Sequence, residues 1–230
     1  MKKKEKSSVA TISETNKINH MSKEFIREQP RIQFTGAIHL IYTYEESRKA
    51  IKHLYEKNNM SEFVVGVDTE TKPTFEKGQK RHHPSWIQVA DDSIAYLFYI
   101  GDKNGMKNVI EPIVELLSDE KVTKVGAGLT SDIKNLNIAY TELCQKPMLK
   151  SKNVLNLDQI AREKGIKQGG LVSLAVRYLG GRISKSQQTS DWGKRKLSNG
   201  QMKYSATDAW ISFKVFAPLS KDKTDWSKIE

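Results

Sequence analysis

Five side chains in this sequence have the types and settings for chemistry on phosphate esters. They are Asp68 and Glu70 in VVGVDTE, Asp132 in GLTSDIKNL, and Tyr204 with Asp208 in KYSATDAW. Carboxylates are hard oxygen donors, and a set of them brought together repels and holds protons unless divalent cations offset the charge. A phenol beside such a set can orient a reacting water or relay its proton. The combination suits metal-assisted cleavage of a phosphodiester. Asp68 and Glu70 stand two apart at the end of a short apolar run, and in an extended chain that period puts both on one face of a sheet, where they can share a cation. Tyr204 and Asp208 stand four apart, neighbours on a helix. Either pair alone is ordinary, since Tyr-x-x-x-Asp on an amphipathic helix is commonly a solvated pair. The conjunction carries the weight: acids at a strand exit, at a helix start near the middle of the chain, and on a late helix, each well separated from the next.

The elements that must position these groups follow from periodicity. AIHLIYT reads as a strand, and TYEESRKAIKHLYEKN as a helix opened by a Thr43 to Glu46 capping box, with Ala50, Ile51 and Leu54 on one face. EFVVGVDTE reads as a buried strand; WIQVADD and SIAYLFYI read as a hairpin, so the sheet starts antiparallel. After a Gly-Asp-Lys-Asn-Gly loop, VIEPIVELLSD is helical, KVTKVGAG is a strand, and a helix beginning near Thr130 or Ser131 holds Asp132 in its first turn. VLNLDQIAREKG is a further strand or a passage from strand to helix, and LVSLAVRYLG is a helix stopped by Gly180 and Gly181. The last helix opens with Ser198 and Gln201 in capping-box spacing and carries a core stripe of Met202, Ala206, Ala209, Phe213 and Phe216. At about 100° per residue, Tyr204 and Asp208 fall on a second face. Alternating β and α elements indicate an α/β fold.

Composition bounds the rest. The chain's 230 residues, 37% hydrophobic, can build one sizeable core. Residues 1 to about 30 are polar, lysine-rich and without apolar period, which predicts a disordered basic tail; residues 221–230 predict a short polar tail. The formal charge is +11; Lys outnumbers Glu between Met1 and Glu24, yet most of the excess lies beyond that stretch. That balance points to an anionic partner, nucleic acid before membrane. The lack of a long apolar run and of an apolar leader predicts a soluble protein of a reducing, intracellular compartment, the cytoplasm first. Cys144 is the single cysteine, which excludes an intrachain disulfide and predicts a buried thiol.

The segments DTETKP, VGAGLTSDIKNL and LVSLAVRYLGGRISKSQQTSDWGKRKLSNGQMKYSATDA resemble the three motifs of the DEDDy 3′-5′ exonucleases, and the resemblance runs from about residue 36 to 217. Within that family, Pro73 after the acidic pair and the SDWGKRKLSNGQMKYSATDA block are most similar to the Werner syndrome exonuclease branch. The resemblance implies a ribonuclease-H-like, three-layer α/β fold with a mixed five-stranded sheet flanked by helices, spanning residues 31–220. It implies that Asp68, Glu70, Asp132 and Asp208 are catalytic and hold metal, Mg²⁺ or Mn²⁺ and two ions, with Tyr204 as the catalytic tyrosine. It implies release of 5′-mononucleotides from a free 3′ end, with DNA the expected partner. A ribonuclease D-like exoribonuclease is the alternative, and a noncatalytic nucleic-acid-binding module is the alternative from another class.

For the substrate, the basic stretch holding Lys185, Lys194, Arg195, Lys196 and Lys203, with Trp192 among them, suits phosphate contact and base stacking. Lys185, Trp192, Lys194 and Arg195 are the candidate nucleic-acid-binding residues. The same residues also suit a solvated loop whose Trp192 packs into the core. Trp86 reads as core and Gln88 as a buried structural hydrogen bonder, while His82 and His83 lack ligand spacing and read as an exposed loop. Gly126 and Gly128 lack the Gly-Lys-Ser/Thr of a phosphate loop and read as permitting close strand-to-helix packing.

Overall fold

The computed structural model describes residues 19–75, 78 and 82–229. A six-stranded mixed sheet forms the middle layer. In chain order its strands are β1 (Ala37–Ile41), β2 (Phe63–Thr71), β3 (Pro84–Ala90), β4 (Ile94–Tyr99), β5 (Val122–Gly126) and β6 (Val154–Asn156), arranged β1-β4-β3-β2-β5-β6. β3 is antiparallel to both β2 and β4, as the hairpin pattern requires, and the other pairings are parallel. The sheet has one strand more than the five expected. The sixth, β6, is three residues long and runs directly into a helix, so its sequence shows too little alternation to separate strand from passage.

Helices cover both faces. α2 (Tyr44–Lys57), α3 (Lys103–Ser118) and α4 (Leu129–Cys144) pack one side through Leu54, Ile110, Ile113 and Leu136 against Val65, Val67 and Phe98 of the sheet. α5 (Leu157–Glu163), α6 (Leu171–Leu179) and α7 (Asn199–Lys221) cover the other. The alternation of β2 is the reason its acids are usable. Val65 and Val67 face the α2 to α4 layer, so Gly66, Asp68 and Glu70 face α7. α7 has two buried faces rather than the one expected stripe: Ala206 and Ala209 are fully covered, but so are Ser205, Ile211, Ser212 and Val215, while Met202, Phe213 and Phe216 are half-buried.

Local signals behave as their chemistry dictates, with three shifts. Both capping boxes form, at Thr43 with Glu46 and at Ser198 with Gln201, and Gly180 ends α6 at φ 66°. α4 starts at Leu129, with Gly128 at its N-cap and φ 73°, a left-handed position that glycine takes without strain. The expected Gly-Asp-Lys-Asn-Gly loop is instead the start of α3, because the Asp102 side chain caps it by accepting from Gly105 N at 2.7 Å. Cys144 is half-buried rather than buried.

Both stretches expected to be tails contain buried residues. Residues 1–18 lie outside the described residues; α1 (Lys23–Glu28) has no buried residue, but Asn19 and Met21 ahead of it are buried. The fully buried Asn19 side chain donates to the Trp226 carbonyl at 2.7 Å and the Gly165 carbonyl at 3.1 Å, and accepts from Lys167 N at 2.9 Å. At the other end, Trp226 is buried, with the Arg177 guanidinium 4.0 Å from its ring centroid. Isolated polar residues at each end satisfy one another across the fold, and a local composition scan is blind to that.

Candidate active site

β2 and α7 meet unusually closely, and the contact assembles the acids. A Cβ built on Gly66 would stand 1.8 Å from the Ala209 carbonyl oxygen, so only glycine lets the helix lie this near the strand. Asp68 lies one alternation beyond Gly66, and Asp208 precedes Ala209. As a result, oxygens of Asp68, Glu70 and Asp208 all lie within 4.8 Å of one another. A register shift after Glu70 ends the regular pairing of β2 with β3 at the acidic pair. Asp132, in the first turn of α4, is the fourth acid: it is near enough to repel Asp68 and Glu70, and it accepts a hydrogen bond from the Thr69 side chain.

The electrostatics are those of a cation site. Burial pushes Asp68 and Glu70 well above the ordinary carboxylate range, and repulsion from neighbouring acids adds to it. Burial raises Asp132 to about 6, against the opposing Thr69 hydrogen bond. It raises Asp208 to about 7, against the Tyr204 hydroxyl and the nearby Lys185 charge. Burial, then the Asp208 and Glu70 charges, raise the Tyr204 phenol, which keeps its proton. One Asp208 oxygen, Oδ1, is buried with no hydrogen-bond partner. Three oxygen donors within ligand-sharing reach and an orphaned carboxylate oxygen fit a hard divalent cation.

A cavity of about 360 Å³ opens over this cluster. Leu171, Val172 and Ile183 give it an apolar wall, and Lys185 and Gln188 its polar edge. Of the four candidate nucleic-acid-binding residues, Lys185 alone lines it. Trp192 does not line it. It is fully buried, its ring 5.9 Å from that of Tyr204, and its Nε1 donates to the Gln187 carbonyl at 3.1 Å. Its role is to back the tyrosine. Lys194 lies 3.7 Å from Asp191 and lines a different cavity with Lys72, His82 and His83. Arg195 lies over the Tyr42 and Tyr99 rings, at 5.3 and 5.7 Å.

His83 pairs with Glu142 at 3.0 Å, away from the acids. Trp86 is core, as expected. Gln88 is buried directly across from Asp68, but neither of its amide atoms has a partner, contrary to its expected hydrogen-bonding role. Gly126 permits close approach of both a strand and a helix, since a Cβ there would stand 2.5 Å from the Val67 carbonyl oxygen of β2 and 3.1 Å from Leu129 Cβ of α4, but Gly128 does not act by packing: a Cβ there would meet nothing within 4 Å, and its need for glycine is the positive φ. The sequence reading missed the site wall made by residues 31–33, beside Tyr204 and Asp208. The alternation of Ile32 and Phe34, one half-buried and one buried, was the signal for it.

A mixed sheet that sets strand-borne and helix-borne carboxylates around a cation site, with a phenol alongside, defines the metal-dependent nuclease class. The chain belongs to the 3′-5′ exonuclease family, whose family model matches residues 38–223. Over 80% of its length it is 27% identical to the human exonuclease mut-7 homolog, over 86% it is 29% identical to an Arabidopsis thaliana 3′-5′ exonuclease, and over 83% it is 28% identical to mouse WRN, a bifunctional 3′-5′ exonuclease and ATP-dependent helicase. It spans 22%, 68% and 13% of those proteins respectively. The Aedes aegypti Nibbler EXO domain has the same fold, with TM-score 0.67 at 20% identity, covering 83% of this chain and 91% of that one. So does Trypanosoma brucei ribonuclease D in complex with RNA U12, with TM-score 0.65 at 18% identity, covering 82% of this chain and 64% of that one. The fold is ribonuclease-H-like.

Proposed function

We propose that this chain is a metal-dependent 3′-5′ exonuclease that hydrolyses phosphodiester bonds from the 3′ end of DNA and releases 5′-mononucleotides. The observation that carries the reading is the meeting of Asp68, Glu70 and Asp208 within 4.8 Å, beside a protonated Tyr204. Asp68, Glu70 and Asp208 would hold the cations, with Asp132 completing the charge of the set. Bound Mg²⁺ or Mn²⁺, two ions in this reading, supplies Lewis acidity at the water and charge neutralisation at the phosphate. The Tyr204 hydroxyl donates to the Asp208 carboxylate, leaving its oxygen lone pairs to accept from and orient the attacking water. Leu171, Val172 and Ile183 give the terminal nucleotide an apolar surface and exclude bulk water. Water adds to phosphorus, the 3′-oxygen of the preceding nucleotide leaves and takes a proton, and the strand keeps a new 3′-hydroxyl.

DNA is the substrate that the resemblance of the SDWGKRKLSNGQMKYSATDA block to the Werner exonuclease branch implies. The ribonuclease D of Haemophilus influenzae, 32% identical over 51% of this chain, supports RNA as a second reading. The test is degradation of 5′-labelled DNA and matched RNA, with Mg²⁺ or Mn²⁺ and with EDTA, alongside Asp68→Ala. A ladder shortening from the 3′ end, lost with EDTA and with the variant, is the expected result, and the faster substrate decides between the sugars. Binding without shortening would overturn the catalytic reading in favour of a binding module.

A further inference from the structure

The face of α7 that carries Tyr204 and Asp208 continues toward the helix N-terminus through Lys203 and Gly200, at helical spacing. A strap ahead of β1 runs along this face and is fixed to it. Ile32 N donates to the Arg182 carbonyl at 2.9 Å, Arg182 N to the Pro30 carbonyl at 2.9 Å, and Phe34 N to Thr207 Oγ1 at 3.0 Å. A Cβ on Gly181 would stand 2.4 Å from Ile32 Cγ2, so the strap lies directly against the end of α6.

Between strap and helix is a second cavity, of about 80 Å³, lined among others by Arg31, Ser184, Ser186, Gly200, Lys203 and Tyr204. That space is enough to admit a phosphate group. Its lining is chemically one-sided. Arg31 and Lys203 bring two cations from separate elements, Ser184 and Ser186 bring hydroxyls, and Gly200 belongs to the first turn of a 23-residue helix, whose free N–H groups favour an anion. Asp208 is the one acid in the lining, and it stands two helical turns beyond Gly200, about 12 Å along the axis.

We infer that Arg31, Lys203 and the first turn of α7 form a subsite for a non-scissile phosphodiester of the nucleic-acid strand. Arg31 lies ahead of residue 38, where the family match begins, whereas Lys203 and the first turn of α7 lie within it. The subsite sets the strand's register over the carboxylates. The inference rests on the nuclease reading above.

The experiment compares wild type, Arg31→Gln, Lys203→Gln and Arg31→Lys in two assays. In EDTA, binding of a labelled single strand is followed by anisotropy across a salt series. Each charge-removing variant is expected to weaken binding roughly tenfold. Each should also make the slope of log K against log[salt] shallower by about 0.7, the value of one phosphate contact on a single strand. Arg31→Lys should restore the slope.

With metal, kcat/KM is measured on an oligonucleotide and on a nucleoside p-nitrophenyl phosphodiester, which has only a scissile phosphate. The charge-removing variants should lose roughly tenfold more on the oligonucleotide than on the small ester. An unchanged salt slope, or equal losses on both substrates, would overturn the subsite, the second outcome meaning that the strap acts only on the fold. If wild type cleaved neither substrate, the nuclease reading would fall, while the salt slope would still decide whether this cavity holds a strand phosphate.

Discussion

Gly66 of β2 lies against the Ala209 carbonyl of α7, so close that a Cβ would fall 1.8 Å from that oxygen. This contact is the hinge of the site, because Asp68 and Asp208 stand immediately beyond it on their respective elements. Gly66→Ala must push α7 away from the sheet. The expected cost is about 1–3 kcal/mol or more of stability, with loss of divalent-cation affinity beyond what the stability loss explains. Urea unfolding with and without Mg²⁺ measures both, and an unchanged midpoint would show that the helix is not held at this distance.

The acids also set a pH dependence of stability. Asp208 is at about 7 and Asp132 at about 6 in the folded protein, both above the roughly 3.9 of an unfolded aspartate. Between those values the folded state binds more protons than the unfolded state, so the contribution of these groups to metal-free stability is fully present below about pH 4 and falls as pH rises from there through 6 and 7. Calorimetry in EDTA should give a lower Tm at pH 8 than at pH 6. Asp208→Asn should raise the Tm at pH 8 and flatten the dependence, and saturating Mg²⁺ should do the same for wild type. A Tm that climbs from pH 6 to 8 in EDTA would contradict the repulsive cluster.

Tyr204 keeps its proton, held up by burial and by the neighbouring acids. Tyr204→Phe should lower kcat by about 10²-fold or more while leaving KM within a few-fold, since the ring and its packing against Trp192 remain. Because burial and the neighbouring acids raise the phenol, the wild-type pH–rate profile should show no tyrosine ionisation below about pH 9. A Phe variant with wild-type kcat would remove the phenol from the chemistry.

Trp192 separates a packing role from a binding role. As a fully buried ring behind Tyr204, it should cost about 3–5 kcal/mol when changed to Ala, seen as a lower denaturation midpoint. If Trp192→Ala instead folded as well as wild type and lost only strand affinity, the burial would be the wrong account.

The carboxylates were legible in the sequence because each sits in a strong local pattern: an apolar run for Asp68 and Glu70, a helix start for Asp132, and a capped helix for Asp208. The hairpin of β3 and β4 was equally legible from its short polar link, but the parallel pairings and the strand order were not, because the partners lie far apart in sequence, and β6, with three residues, is too short to separate strand from passage. Trp192 was ambiguous because a tryptophan between lysines has the same local sequence whether it stacks on a base or on Tyr204. Asn19 and Trp226 were illegible for a related reason: the groups that satisfy Asn19 lie up to 210 residues away, and no local window contains them.

The dependence of the site on α7 has a consequence for the protein's synthesis. Asp68 and Glu70 emerge from the ribosome long before Asp208, which lies in the last helix of the sheet's far layer. Until α7 is made and docked on Gly66, the growing chain has half a cation site and no tyrosine. Such a nascent chain lacks the assembled acid cluster. The wide separation of the ligands along the chain works as a delay, arming the nuclease only after the fold is nearly complete.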